Sequence, residues 1–237
     1  MNAILISFKQ VLKETAGDAM LFVVCFAPFL CGIVMKCGLP FIENLLTKYF
    51  GKPEIITPYY LLFDLMMAFL SAMLFCFVGA MVVLGEMDNN ISRYLCVTPL
   101  GQRGYFISRF AIPCVLAMIV TGIVLTTFSL TPHSVFSTVI ISVLASIIGM
   151  LIAFIIVALA NNKVEGMAVS KLSGMLLFGA VAPFFVKGDI QYVFGLLPSF
   201  WLAKYVITGG TIYIGITFCN TVLWIWFLYG KYKKKIA

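Results

Sequence analysis

The chain has 237 residues, of which 62% are hydrophobic and only 11% charged, against roughly 45–50% apolar and about 25% charged residues in soluble domains. A water-soluble globule of this size has too little interior to hide that much apolar surface. The formal net charge of +7 therefore reads as a signal of membrane topology and not of nucleic-acid binding.

In the leader, residues 1–18, Ile4, Leu5, Phe8, Val11 and Leu12 recur at helical spacing while Lys9, Gln10, Lys13 and Glu14 take the opposite face. That pattern predicts an amphipathic helix lying in the membrane interface. Polar residues run up to Asp18 and the apolar stretch after it is long, which argues against a cleaved signal peptide. Six stretches then approach the roughly 20 apolar residues a span requires: 19–39, 61–84, 111–130, 135–160, 167–186 and 211–229. An even number puts both termini on one side. That side collects 11 Lys and Arg residues, among them Lys9, Lys13, Arg93, Arg103, Arg109, Lys163 and Lys171, and the other side collects 5. Positive loops are retained in the cytoplasm, so both termini are expected inside, with the Lys231–Lys235 cluster near anionic lipid. The expected fold is one all-α transmembrane domain over residues 1–237.

The second span carries Met66, Phe69, Met73 and Phe77 at steps of three and four, which fits either the lining of a pathway for an apolar substrate or plain helix packing. Asp64 falls near its outer end. The fourth span carries Ser142, Ser146, Gly149, Ala153 and Ala160 along one face, a small-residue stripe that lets another helix approach closely. Lys171, at the inner end of the fifth span, reaches the interface by snorkelling. Residues 187–210 are too apolar for an ordinary loop and contain Pro198, Phe200, Trp201 and Tyr205. They are expected to dip back into the outer leaflet and cap a cavity, or to form an interfacial loop anchored by the aromatics. Seven cysteines and one histidine lack metal-ligand spacing, so no metal is expected. His133 reads as a solvated loop residue.

The polar stretch 85–109 is the most informative. Thr98 is positioned to cap a helix that starts at Pro99, with Gln102, Arg103 and Tyr105 projecting as its polar and aromatic face. Glu86 and Asp88 either pair with Arg93, Arg103 or the leader, or remain solvated charges. An acidic residue ending the second span, followed by Thr98-Pro99-Leu100, resembles the loop between spans two and three of type-two ABC exporter permeases. Asn161–Lys171 resembles the junction of spans four and five in the same family, including its fluoroquinolone-exporting members, and Leu197–Trp201 resembles the Pro-aromatic stretch before its last span.

The resemblance covers nearly the whole chain. It implies a bacterial plasma-membrane permease whose inside loop holds a coupling helix, with Glu86, Asp88, Arg93, Thr98, Pro99, Leu100, Gln102, Arg103 and Tyr105 as ATPase-coupling residues and Pro198, Phe200 and Trp201 in a re-entrant cap. It also implies two copies of an ABC ATPase subunit and a second permease copy, identical or related. The chain has no Gly-x-x-x-x-Gly-Lys-Ser/Thr loop, so ATP and Mg are expected on the partner, with no cofactor and no catalytic residue here. Hydrophobic or amphipathic cargo, whether drug, lipid or peptide, fits the Phe- and Met-rich spans. A non-transporting or immunity-type subunit shares the same signals. An integral-membrane enzyme fits less well, because no His, Asp or Glu cluster sits on the spans.

Overall fold

The computed structural model describes residues 2–186 and 188–236, with the backbone alone at Asn2, Ala3, Arg93, Cys96, Lys233, Lys234 and Ile236. Every regular element among them is helical. The leader is helix α1 (Asn2–Gly17), and α2 (Ala19–Phe50) follows directly. The Asp18 carboxylate caps α2 by accepting the backbone N–H groups of Met20 at 3.1 Å and Leu21 at 3.4 Å. Helix α3 (Tyr60–Asp88) is followed by the short helices α4 (Ile91–Val97) and α5 (Gly101–Phe106). A π-helical turn, Ile107–Ala111, leads from α5 into α6 (Ile112–Phe128). Then come α7 (Val135–Leu159) and α8 (Lys163–Ser173), a 3₁₀ stretch over Gly174–Ala180, and α9 (Ala182–Phe185). A second 3₁₀ stretch, Asp189–Leu196, precedes α10 (Pro198–Thr208) and α11 (Ile212–Ile236).

Six helical segments are long and apolar enough to cross a membrane, as the hydropathy pattern predicts, and the protein is a multi-pass membrane protein. Two segments differ from expectation. The first helix does not end near Leu39 but continues through Pro40 to Phe50, because a proline removes one ladder bond and a helix can resume beyond it. Beyond Pro40, the buried Glu43 accepts the backbone N–H groups of Ile55 at 2.8 Å and Ile56 at 2.7 Å. The fifth span is broken into α8, the 3₁₀ stretch and α9.

Helices α3 and α7 form the centre. The predicted stripe on and just beyond α7 is buried, at Ser142, Ser146, Ala153 and Ala160, and it meets α3 at Gly149, where a Cβ would lie 2.8 Å from the Ala72 carbonyl oxygen. Only glycine permits that approach. Phe69 and Phe77 are buried in this interior and Met66 and Met73 half-buried against it. Within the single chain these four side chains therefore pack against the helices around α3. Helices α2 and α11 sit at the periphery with most of their apolar surface uncovered.

At the end of the bundle opposite the termini, Asp64 is almost wholly buried, accepting N–H groups from Leu130 at 2.8 Å and Thr131 at 2.9 Å. His133 is not a solvated loop residue. Its side chain is only 11% exposed and its Nε2 lies 3.2 Å from the Asp64 carboxylate, because the α6–α7 turn folds back over the start of α3.

Candidate functional site

The two termini, the ends of α3 and α7, and the starts of α6 and α8 meet at one end of the bundle, and there the chain buries its one fully enclosed ion pair among the described residues. Glu86, on the last turn of α3, is 2% exposed and Arg109 is 0% exposed. The Arg109 Nε lies 3.1 Å from both Glu86 oxygens, and an Nη closes a bidentate fork on Oε1. The other Nη donates to the Ser7 carbonyl at 2.9 Å and to the Ser7 Oγ at 2.7 Å, while Tyr105 donates its hydroxyl proton to Glu86 Oε2 at 2.7 Å. One guanidinium thus joins α1, α3 and the π turn. Such burial is tolerable because the arginine's N–H groups and both carboxylate oxygens find partners.

The π turn is what delivers Arg109. Ser108, Arg109 and Phe110 are consecutive and all buried, whereas residues about 100° apart on a regular α-helix would spread over more than half its circumference. The wider turn keeps three neighbours facing inward, a distortion that recurs at functional sites. Gly79 makes room for it: a Cβ there would lie 2.7 Å from the Arg109 carbonyl oxygen. Beside the pair, Phe110 stacks on Phe154 of α7 with centroids 4.6 Å apart, and Tyr232 of α11 meets both rings edge-on. The ion pair joins the second and third spans, and the aromatic cluster beside it brings in α7 and α11.

The coupling residues expected from sequence separate into two groups. Glu86 and Tyr105 belong to the buried network, so Tyr105 does not project from a helix surface. It is 0% exposed because its hydroxyl pairs with Glu86. Glu86 pairs with Arg109 and not with Arg103; the Arg93 side chain, the other expected partner, lies outside the described residues. Gln102, Arg103, Thr98 and Pro99 are exposed, and Leu100 is half-buried. Thr98 does not cap a helix starting at Pro99: it closes α4, its hydroxyl donating to the Leu95 carbonyl at 2.7 Å. Thr98 to Gly101 form a turn closed by a 3.0 Å bond from the Gly101 N–H to the Thr98 carbonyl. Gly101 takes φ +64°, so the free-standing short helix is α4, before the turn, and α5 runs on into the third span. Two residues not singled out from sequence appear on α4: Tyr94 is 71% exposed and Val97 84% exposed.

The Asn161–Lys171 segment docks on the same end. The Asn162 side chain accepts the Glu165 N–H at 2.8 Å while the Glu165 carboxylate accepts the Asn161 N–H at 2.7 Å, a reciprocal helix-start arrangement. Asp88 accepts the Lys163 N–H at 3.1 Å, and the Lys163 ammonium reaches Asp18 at 3.2 Å. Burial acts to raise the Asp18 pKa, but Lys163 and the N–H groups of Leu21 and Met20 outweigh it and hold the carboxyl below its ordinary value. Lys235 donates to the Ala160 and Val157 carbonyls closing α7, and its pKa is pulled down by burial against the opposing charge of Glu165.

In the 187–210 region, Pro198 starts α10, Phe200 is 0% exposed, and the Trp201 indole N–H donates to the Gly195 carbonyl at 2.6 Å. Among the described residues no three His, Cys, Asp or Glu side chains converge as a metal site.

The sequence profile of the Rv2686c-like fluoroquinolones export permease proteins matches residues 11–229. Two relatives named fluoroquinolones export permease protein, from the CDC 1551 / Oshkosh and H37Rv strains of Mycobacterium tuberculosis, are each 26% identical over 250 aligned positions, covering 95% of this chain and 92% of the relative. No solved structure matches. With six apolar helices and a profile match spanning nearly its full length, the chain belongs to the Rv2686c-like family of fluoroquinolone export permeases.

Proposed function

We propose that this chain is the membrane subunit of an ATP-driven ABC exporter in a bacterial plasma membrane, with both termini in the cytoplasm and a fluoroquinolone-like amphipathic drug as cargo. The cargo follows the printed function of the relatives, and the orientation follows the 11 to 5 division of basic residues. Two copies of the permease, or one with a related chain, work with two copies of a separate ATPase subunit, which binds ATP and Mg.

The observation that carries this reading is the contrast within residues 86–109. The short helix α4 offers Tyr94 and Val97 to a partner, while the segment behind it is tied to α1 and α3 through the buried Arg109–Glu86 pair. ATP binding draws the two ATPases together and displaces α4 and the Thr98–Gly101 turn. The ion pair and the Tyr105 hydrogen bond transmit that displacement to α3 and α6, so an inward-open cavity closes and opens outward. Residues 187–210 act as a re-entrant cap on the outer side.

Inside-out vesicles containing this chain and its ATPase test the proposal. They accumulate a fluoroquinolone on addition of ATP, and an ATPase variant unable to hydrolyse ATP abolishes the uptake. Uptake without ATP that collapses on adding a proton uncoupler would overturn it in favour of a gradient-driven carrier.

A further inference from the structure

A cleft of about 1080 Å³ opens between the 3₁₀ stretch 189–196, α10 and α11. Its walls include Tyr192, Trp201, Trp224 and Phe227, with Gly215 and Asn220 on the α11 side. The cleft is held open by bonds within the chain. The Trp201 and Asn220 side chains both donate to the Gly195 carbonyl, at 2.6 and 2.9 Å, and the Trp224 indole N–H donates to the Leu196 carbonyl at 3.0 Å. These three donors pin the end of the 3₁₀ stretch against α10 and α11, and Trp201 is further held by stacking on Tyr213 with centroids 6.0 Å apart. A Cβ on Gly215 meets nothing within 4 Å, so the α11 wall is open there.

Outside the lining itself, behind Tyr192, stands Lys204, one helical turn beyond Trp201 on α10. Its ammonium lies 5.3 Å from the centre of the Tyr192 ring and 5.9 Å from that of Phe200. No carboxylate pairs with it among the described residues. On the α11 wall, nothing among the described residues donates to the side-chain oxygen of Asn220, whose amide is committed to the Gly195 carbonyl. Aromatic walls and an amide acceptor in an otherwise apolar cleft, with a cation beside its rim at Tyr192, define a chemistry: a flat aromatic acid that packs on the aromatic walls, sets its carboxylate toward Lys204 and offers an N–H to Asn220.

We propose that this cleft binds planar aromatic carboxylates and is a drug-binding subsite of the permease. The inference rests on the export reading for its biological meaning, and fluoroquinolones, which are flat aromatic acids bearing an amine, have the required chemistry. An anionic phospholipid is the competing occupant, and charge complementarity alone would admit it. The two tryptophan walls and the free Asn220 acceptor favour the aromatic acid.

The test uses the purified full chain in lipid nanodiscs without any ATPase. Trp226 is 76% exposed and absent from the cleft, so Trp226→Phe leaves only Trp201 and Trp224 as reporters. Ciprofloxacin is expected to quench their fluorescence saturably, and Gly215→Leu, which fills the open wall, to remove the saturable part. Lys204→Gln is expected to weaken the acid about tenfold, as loss of a charged hydrogen bond does, while leaving its methyl ester unaffected. Quenching unchanged by Gly215→Leu, or equal for acid and ester, overturns the proposal. So does binding that disappears when phosphatidylcholine discs are replaced by phosphatidylglycerol, which marks the cleft as a lipid seat. Because binding is read without ATP, saturable quenching together with failed ATP-driven uptake counts against the export reading alone. Uptake that persists fully in Gly215→Leu counts against the cleft alone.

Discussion

The two ends of the bundle use buried carboxylates in different ways. At the end carrying the termini, Glu86 is answered by side chains from distant parts of the sequence, Arg109 and Tyr105, and through Arg109 by Ser7. At the opposite end, Asp64 and Glu43 mainly answer backbone N–H groups of the turns beside them, at Leu130, Thr131, Ile55 and Ile56. A carboxylate that holds a turn fixes one connection. A carboxylate shared with a guanidinium from another helix makes several elements move as one. Under the export proposal, the first end transmits motion and the second keeps its loops closed while the helices below them shift.

Mutations at the two ends should separate these roles. Glu86→Ala leaves the buried Arg109 charge without its carboxylate, and the expected loss is about 3–5 kcal/mol, read as a large fall in thermal midpoint in detergent. The paired change Glu86→Gln with Arg109→Met should recover much of that stability without recovering ATP-driven uptake. Asp64→Ala strands two turn N–H groups and should cost about 2 kcal/mol, while the uptake per ATP hydrolysed by the surviving protein stays at the wild-type ratio. A fall in that ratio as deep as the one at Glu86 would erase the distinction between the ends. Tyr105→Phe removes one hydrogen bond to Glu86 and is expected to cost about 1 kcal/mol.

The smallest effect belongs to Asp18 and Lys163, a pair more than a third exposed on the lysine side and worth little in stability. The folded Asp18 pKa lies below its ordinary value of 3.8. Its contribution is therefore present above that value and is lost as the pH falls through the lowered folded one. Melting curves of wild type and Asp18→Asn should differ slightly near neutral pH and converge in strong acid. A gap that persists there would assign the difference to packing.

The six spans, the amphipathic leader and the α7 stripe were legible in sequence because each repeats along many residues. The features missed depend on single events. The first span is expected over 19–39, yet α2 continues through Pro40 to Phe50. The break in the fifth span leaves no clear mark in an apolar stretch, and the π turn has no periodic signature, so Arg109 read as a loop charge instead of the partner of Glu86. Glu86 and Tyr105 were identified but not their mutual contact, since 19 residues separate them and only the bend of the chain at Thr98–Gly101 brings them together. The same holds for His133, whose partner Asp64 lies 69 residues away in sequence.

Under the export proposal, α4 is the docking surface for the ATPase and the buried pair its anchor. Co-purification of the ATPase with the tagged chain from its native host, compared with a Tyr94→Asp, Val97→Asp double variant, tests it most directly. Both residues are exposed, so the variant should keep its thermal midpoint while losing the ATPase that accompanies the wild-type protein. ATPase recovered equally with both proteins, or with neither, would contradict the account.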